Sequence, residues 1–301
     1  MIEIRKVSKW YGSFQVLAAG VARADTLARI KETGTVTMGV REASGALSYM
    51  VGEGQFAGFH VELCQRVLAD VQRRLAMPRL EIRYRVVSSQ NRIPLLLNGS
   101  IDIECGSTTN TAQRQKDVAF AVTTFVEETR LAVKADSGIG TLAQIAGKRV
   151  STTTGTTAVQ VLRERARAAG IEFQPVFGKD HGDSFLLLQT GRADAFVMDS
   201  QILAGTIARA PRPADYRIVG EVLSVEPIAI MLRKADPAFK TVVDESLVAM
   251  MRSGEIDRLY DRWFMQPIPP SNIRLGLPAS AATRAAWARP NDRPVEDVPK
   301  K

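Results

Sequence analysis

The feature that most constrains this chain is a repeated change of hydrophobic period between residues 35 and 265. Short apolar runs alternate with stretches whose apolar residues recur every three to four positions, the pattern of an α/β protein with largely parallel sheets. Thr35-Val36-Thr37-Met38-Gly39-Val40 reads as a buried strand, and Leu63, Cys64, Val67, Leu68, Val71 and Leu75 form one stripe of a helix over about 59–76. Leu80, Ile82, Tyr84 and Val86 alternate with Glu81, Arg83 and Arg85 and predict a strand. A short helix over Ile93 to Leu97 and a strand Ile101 to Glu104 complete this unit. A second series follows: strands at Arg149 to Thr152, Phe173 to Phe177 and Ala193 to Met198, with helices at Thr156 to Ala169 and Ser184 to Gln189. Ser224 to Leu232 reads as extended, and two helices follow, one carrying Phe239, Val242, Val243, Leu247 and Met251, the other Ile256, Leu259, Trp263 and Phe264.

Two such series in 301 residues predict two lobes. The chain is expected to leave the first near 125–133 and return near 222–232, which makes a two-strand hinge with a cleft between the lobes. The expected division is 25–128 with 225–265 for lobe 1 and 129–224 for lobe 2. Residues 266–301 form an extension with seven of the 14 prolines, expected to lie extended over the body or loose.

The net charge of +8 resides mostly at the ends: residues 1–24 and 266–301 each carry +3, which leaves +2 for the body. That distribution argues against a nucleic-acid partner. Two histidines and two cysteines exclude a three-histidine or four-cysteine metal site, and no metal or cofactor is expected. Cys64 on an apolar helix face and Cys105 beside a strand are either buried thiols or a single disulfide.

Residues 1–24 form an anomalous leader. Ala22-Arg23-Ala24 has the small-x-small form of a signal-peptidase site, but the place of a long apolar run is taken by a segment that alternates through Ile2, Ile4 and Val7. That segment, Met1 to Leu17, resembles the start of the ATPase subunit of amino-acid ABC transporters, yet no G-x-x-x-x-G-K-[ST] loop follows and ATP hydrolysis is not supported.

Open α/β sheets bind ligands beyond the carboxyl ends of their strands. There this sequence places Arg41; Ser88-Ser89-Gln90-Asn91-Arg92; Cys105-Gly106-Ser107-Thr108-Thr109-Asn110 with Arg114 a turn later; Thr152 to Thr157; Lys179-Asp180-His181-Gly182-Asp183; and Asp199. Singly, each has a plainer explanation: a surface ion pair for an arginine, an N-cap for Asp199 or a threonine, a hydrogen-bonded loop residue for His181. Together, three guanidinium groups, hydroxyls and one carboxylate suit a small anionic ligand bearing an ammonium.

Residues 25 to about 291 resemble periplasmic substrate-binding proteins of polar amino-acid ABC transporters (family 3), most closely the glutamate/aspartate-binding subgroup. The resemblance is carried by Ser89-Gln90-Asn91-Arg92-Ile93-Pro94-Leu95-Leu96, Glu104-Cys105-Gly106-Ser107-Thr108-Thr109-Asn110, Lys179-Asp180-His181-Gly182-Asp183-Ser184-Phe185, Gly191-Arg192-Ala193 and Pro267-Ile268-Pro269-Pro270. It implies the type II periplasmic-binding-protein (Venus-flytrap) fold, a monomer in the periplasm, and capture of L-glutamate or L-aspartate for a permease. Carried over by position, it implies that Arg114 holds the α-carboxylate with Thr109, Thr153 and the N–H of Thr156. Asp199, the Thr109 hydroxyl and the Ser107 carbonyl would take the ammonium, and Arg41, Ser89, Arg92 and His181 the side-chain carboxylate. Counted from these residues the site is +2 before His181 protonates. The competing reading is an enzyme on the same fold, such as a dehydratase or transglycosylase, for which Asp199 and His181 are the acid–base candidates. An effector-sensing part of a transcription regulator lacks support, since no helix-turn-helix precedes Asp25.

Overall fold

The computed structural model describes residues 25–297, together with the backbone of a hairpin in which Ser8–Tyr11 pairs with Phe14–Leu17. The alternation through Ile2, Ile4 and Val7 and the run Ala22-Arg23-Ala24 lie outside the described residues.

Lobe 1 opens with helix α1 (Thr26–Thr33), capped by the Asp25 carboxylate, which accepts from the Ala28 N–H at 2.9 Å. Strand β1 (Thr35–Val40) buries Val36, Met38 and Val40 completely. Helix α2 (Phe59–Arg74) lays Leu63, Cys64, Val67, Leu68 and Val71 into the same core. Next come β2 (Glu81–Val86), α3 (Arg92–Leu97), β3 (Ile103–Glu104) and β4 (Val118–Phe120). The chain crosses on β5 (Phe125–Lys134) into lobe 2: β6 (Arg149–Thr153), α4 (Thr157–Ala168), β7 (Gln174–Gly178), α5 (His181–Gln189), β8 (Ala195–Asp199) and α6 (Ser200–Ala208). It returns on β9 (Tyr216–Ile228) to β10 (Met231–Arg233), α7 (Pro237–Arg252) and α8 (Glu255–Tyr260).

The lobe 1 sheet has the order β2-β1-β3-β10-β4 and the lobe 2 sheet β7-β6-β8-β5-β9. In each, the first three strands run parallel and the strands toward the other edge pair antiparallel. The hinge is the β5–β9 pair, in register from Phe125↔Ile228 to Lys134↔Tyr216 with a bulge near Thr129. Phe125 and Ile228 belong to the lobe 1 core, whereas Leu131 and Leu223 belong to the lobe 2 core. The ribbon therefore spans both cores, and bending it moves one lobe against the other.

Three differences from expectation have physical causes. Strand β2 is a sheet edge, so Tyr84 and Val86 stay exposed although Ile82 packs inward. Helix α6 was not anticipated, because Ile202, Leu203, Ala204 and Ile207 leave it without a polar face to define a stripe. The C-terminal extension is not loose: within it Pro267–Ile268 pairs with Ile273–Arg274, and Ala281–Ala288 forms a helix, α9. Trp287 of α9 is buried and donates its indole N–H to the Thr124 carbonyl at 2.8 Å, while the Asn291 carbonyl accepts from Thr123 N–H at 2.8 Å. One buried aromatic and these backbone bonds outweigh the proline content there.

Cys64 of α2 and Cys105, just after β3, form a disulfide. It ties the helix to the strand end that leads into the Gly106–Asn110 loop.

Candidate functional site

Arg41 follows β1, Ser89 and Arg92 follow β2, Ser107 and Thr109 follow β3, and Arg114 lies one turn beyond. From lobe 2 come Thr153 and Thr156 at the end of β6, His181 opening α5 and Asp199 closing β8. Each strand end delivers its polar residue to the cleft, where the lobes touch.

The Arg41 stem crosses Gly106, where a β-carbon would lie 2.8 Å from Arg41 Cγ; only glycine admits this path. Arg41 is buried, and its Nη2 donates to Ser89 Oγ at 3.0 Å and faces His181 Nε2 at 3.3 Å. Arg92, also buried, donates Nη1–H to the Ser107 carbonyl at 3.3 Å. Arg114 donates to the Thr109 carbonyl at 2.8 Å within lobe 1 and to the Gly155 carbonyl at 3.2 Å across the cleft. Among the described residues none of the three forms an ion pair, and Arg41 Nη1 and Arg92 Nε have no hydrogen-bond partner. The surface-ion-pair explanation does not apply to them.

Burial marks all three, and the charge of Arg92 adds repulsion at Arg41 and Arg114. Burial, then Arg92, lowers Arg41 to about 10. Arg114 keeps some exposed surface, but its guanidinium is packed round by protein, and burial followed by Arg92 lowers it to about 9. Burial also lowers Arg92. Guanidinium groups held below their ordinary value gain from an anion placed among them.

His181 corrects the expectation of an added positive charge. An arginine can only donate, so His181 Nε2 facing Arg41 is an acceptor and Nδ1 carries the proton. That proton goes to Thr153 Oγ1 at 2.9 Å, and Thr153 Oγ1 lies 2.8 Å from Ser184 Oγ. Burial, then Arg41 and Arg92, holds the imidazole well below its usual range, so it is neutral at pH 7. In this arrangement His181 orients Arg41 and Thr153 orients His181; neither hydroxyl nor ring is a free donor toward a carboxylate. Thr156, the N-cap residue of α4, likewise turns its N–H and its hydroxyl back onto the Thr153 carbonyl, at 3.3 and 2.7 Å.

Asp199 precedes α6 as its N-cap residue, yet its side chain makes no capping bond. It is buried, and its Oδ1 has no partner. Burial, then Glu127 and Glu226, raises its carboxyl well above the ordinary value. An ammonium beside it would restore the ionised form.

Glu104 and Glu226 are site residues that sequence reasoning missed. Glu104 is fully buried and accepts from Thr108 Oγ1 at 2.6 Å; it favours the charged forms of all three arginines. Glu226 accepts from Thr109 Oγ1 at 2.8 Å and from Thr157 Oγ1 at 2.7 Å, which joins the two lobes. With these carboxylates beside Asp199, the count of +2 does not hold; unpartnered guanidinium N–H groups, not surplus formal charge, define the anion-binding character. Because Thr109 gives its proton to Glu226, its oxygen is left as an acceptor, which suits an ammonium and not a carboxylate. Glu104 sits within a stretch the sequence had singled out, at a strand end, and could have been found; Glu226 lies in a run that reads only as extended.

Gly155 (φ +81°) brings the lobes together here: a β-carbon on it would lie 2.9 Å from Gln90 Cα.

Comparisons with known proteins identify relatives of the chain. Residues 36–266 match bacterial extracellular solute-binding proteins, family 3. The chain is 43% identical over 274 residues to the L-glutamate/L-aspartate-binding protein of Pseudomonas aeruginosa, covering 91% of each. It is 39% identical over 285 residues to a glutamate/aspartate import solute-binding protein of Escherichia coli, covering 92% of this chain and 94% of the relative. A crystal structure of a mutant arginine-binding protein from T. maritima superposes with a TM-score of 0.68 at 29% identity, over 79% of this chain and 98% of that one. The two lobes joined by strands are the type II periplasmic-binding-protein fold, and the chain belongs to bacterial extracellular solute-binding proteins, family 3.

Proposed function

We propose that this protein captures L-glutamate or L-aspartate between its lobes in the periplasm and delivers it, chemically unchanged, to the permease of an ABC importer. The observation that carries this reading is the juxtaposition of unpartnered N–H groups on Arg41 and Arg92 with the unpartnered carboxylate oxygen of Asp199, all buried at one cleft. The relatives named for the same ligands support it.

Arg114 binds the α-carboxylate, with Thr153 and Thr156 forming the lobe 2 wall beside it. Asp199, the Thr109 oxygen and the Ser107 carbonyl receive the ammonium. Arg41 and Arg92 grip the distal carboxylate, with Ser89 and His181 fixing the Arg41 fork. The hinge strands pass between the lobes with a register shift after the Thr129↔Ser224 pair, and closure there seals the ligand from water. General acid–base chemistry would need a titratable group free to exchange a proton. His181 has both nitrogens engaged, and Asp199 is matched to a cation.

A thermal-shift screen of the twenty amino acids tests this reading, because selective binding to the folded state raises the melting temperature. L-Glutamate and L-aspartate are expected to give the largest shifts. A larger shift with arginine, or none with any acidic amino acid, would contradict it.

A further inference from the structure

The lobes also meet away from the arginines, and one helix face makes that contact. Gln201, Gly205 and Arg209 recur every four residues along α6 and its C-terminal end, so they share a side of the helix. They face the lobe 1 loop Ser44 to Tyr49, whose Ala46, Leu47 and Tyr49 belong to the lobe 1 core; Ile202 and Leu203 of α6 belong to the lobe 2 core. Gln201 Oε1 accepts from the Ala46 N–H at 3.2 Å. At Gly205 a β-carbon would lie 2.9 Å from Gly45 Cα, and at Gly45 (φ +61°) one would lie 2.9 Å from the Gln201 carbonyl oxygen. The Arg209 guanidinium carbon lies 4.3 Å from the centre of the Tyr49 ring, and its Nη1 donates to the Gly205 carbonyl at 3.0 Å.

We propose that this helix face is a closure clasp: Gln201, Gly205 and Arg209 are positioning residues that hold the lobes together around a bound amino acid and set its affinity without touching it. The inference rests on the reading that the lobes close on an amino acid. Three links tie the clasp to the site. Ser44 Oγ accepts from Ser107 Oγ at 3.1 Å, Ser48 Oγ accepts from the Arg41 N–H at 2.9 Å, and α6 begins directly after Asp199. Engaging the clasp and assembling the pocket are therefore one rigid-body motion.

The energetic logic is population shift. Affinity falls in proportion to the fraction of molecules able to adopt the binding-competent arrangement, so contacts made only when the lobes meet enter affinity directly. Gly205 is the sharpest probe, since the atom a methyl would strike is backbone and cannot rotate aside. In separated lobes the same methyl meets no part of lobe 1, and alanine favours helix over glycine.

The test is Gly205→Ala, read by calorimetric titration with L-glutamate, by the contraction in radius of gyration that L-glutamate induces in X-ray scattering, and by ligand-free thermal unfolding. We expect unfolding at or above the wild-type temperature, affinity weakened roughly tenfold or more, and a reduced contraction. Gln201→Ala and Arg209→Ala, which remove single contacts and add no bulk, are expected to weaken binding about two- to tenfold with the melting temperature kept; they decide the matter if Gly205→Ala does not fold. Wild-type affinity and contraction in the variants, with the wild-type protein contracting normally, overturn the clasp alone. A wild-type protein that neither binds nor contracts overturns the ligand reading, and the clasp with it.

Discussion

Arg92 is buried near two other guanidinium groups, and its charge helps to lower both Arg41 and Arg114. An anion among them relieves such crowding, and the Arg92 Nε–H has no partner. Arg92→Ala is therefore expected to weaken L-glutamate binding by about 2–5 kcal/mol, and to weaken any residual L-glutamine binding less. Paired titrations with the two ligands check this; equal losses would place Arg92 outside the side-chain pocket. At this scale the sequence was partly legible. Arginines and hydroxyls at successive strand ends could be read as convergent, because strand ends of one sheet share an edge. What they would do to one another could not. That His181 is an acceptor, and that Thr153 and Thr156 turn inward, follows from side-chain geometry that no spacing encodes. Glu226 escaped notice for a simpler reason: a single carboxylate in an extended run carries no periodic signal.

Strand β5 shows what the hinge costs. Glu127 is buried on it, accepting from Ser200 Oγ at 2.7 Å and from the Glu128 N–H at 3.0 Å, with Oε2 unpartnered. Burial raises its carboxyl to about 7 against these bonds. The folded state thus keeps a proton that the unfolded chain releases near its ordinary value of 4.5. Stability from this group is complete below that value and is lost as pH rises through about 7. Glu127→Gln keeps an acceptor for Ser200 and removes the titration. Its melting temperature relative to wild type is expected to rise from pH 5 to pH 8; a difference independent of pH would contradict the assignment. Elements with a clean period, such as β1 and α2, were legible almost to their ends. The mostly apolar α6, the two-residue strand Ala43–Ser44 and the helix within the proline-rich extension were not. Each owes its form to long-range contacts.

On the scale of the whole molecule, two α/β lobes turn on one antiparallel ribbon, and the groups proposed to face the ligand come from both. The proposed site is complete in neither lobe alone: Arg41, Arg92 and Arg114 belong to the first, Asp199 and His181 to the second, and Glu226 bonds to threonines of both. The fold and its cleft were legible because the βα alternation repeats twice and fixes where strand ends must lie. The relative placement of the lobes was not, since it depends on glycine contacts at Gly155 and Gly205 that sequence presents as ordinary glycines. The most direct measurement is calorimetric titration of the wild-type protein with L-glutamate and L-glutamine, which differ by one carboxylate. A ligand that brings an amide in place of the acid leaves buried guanidinium donors without an anionic partner. L-Glutamate is expected to bind roughly a hundredfold more tightly or better. Equal affinity for the two would contradict it.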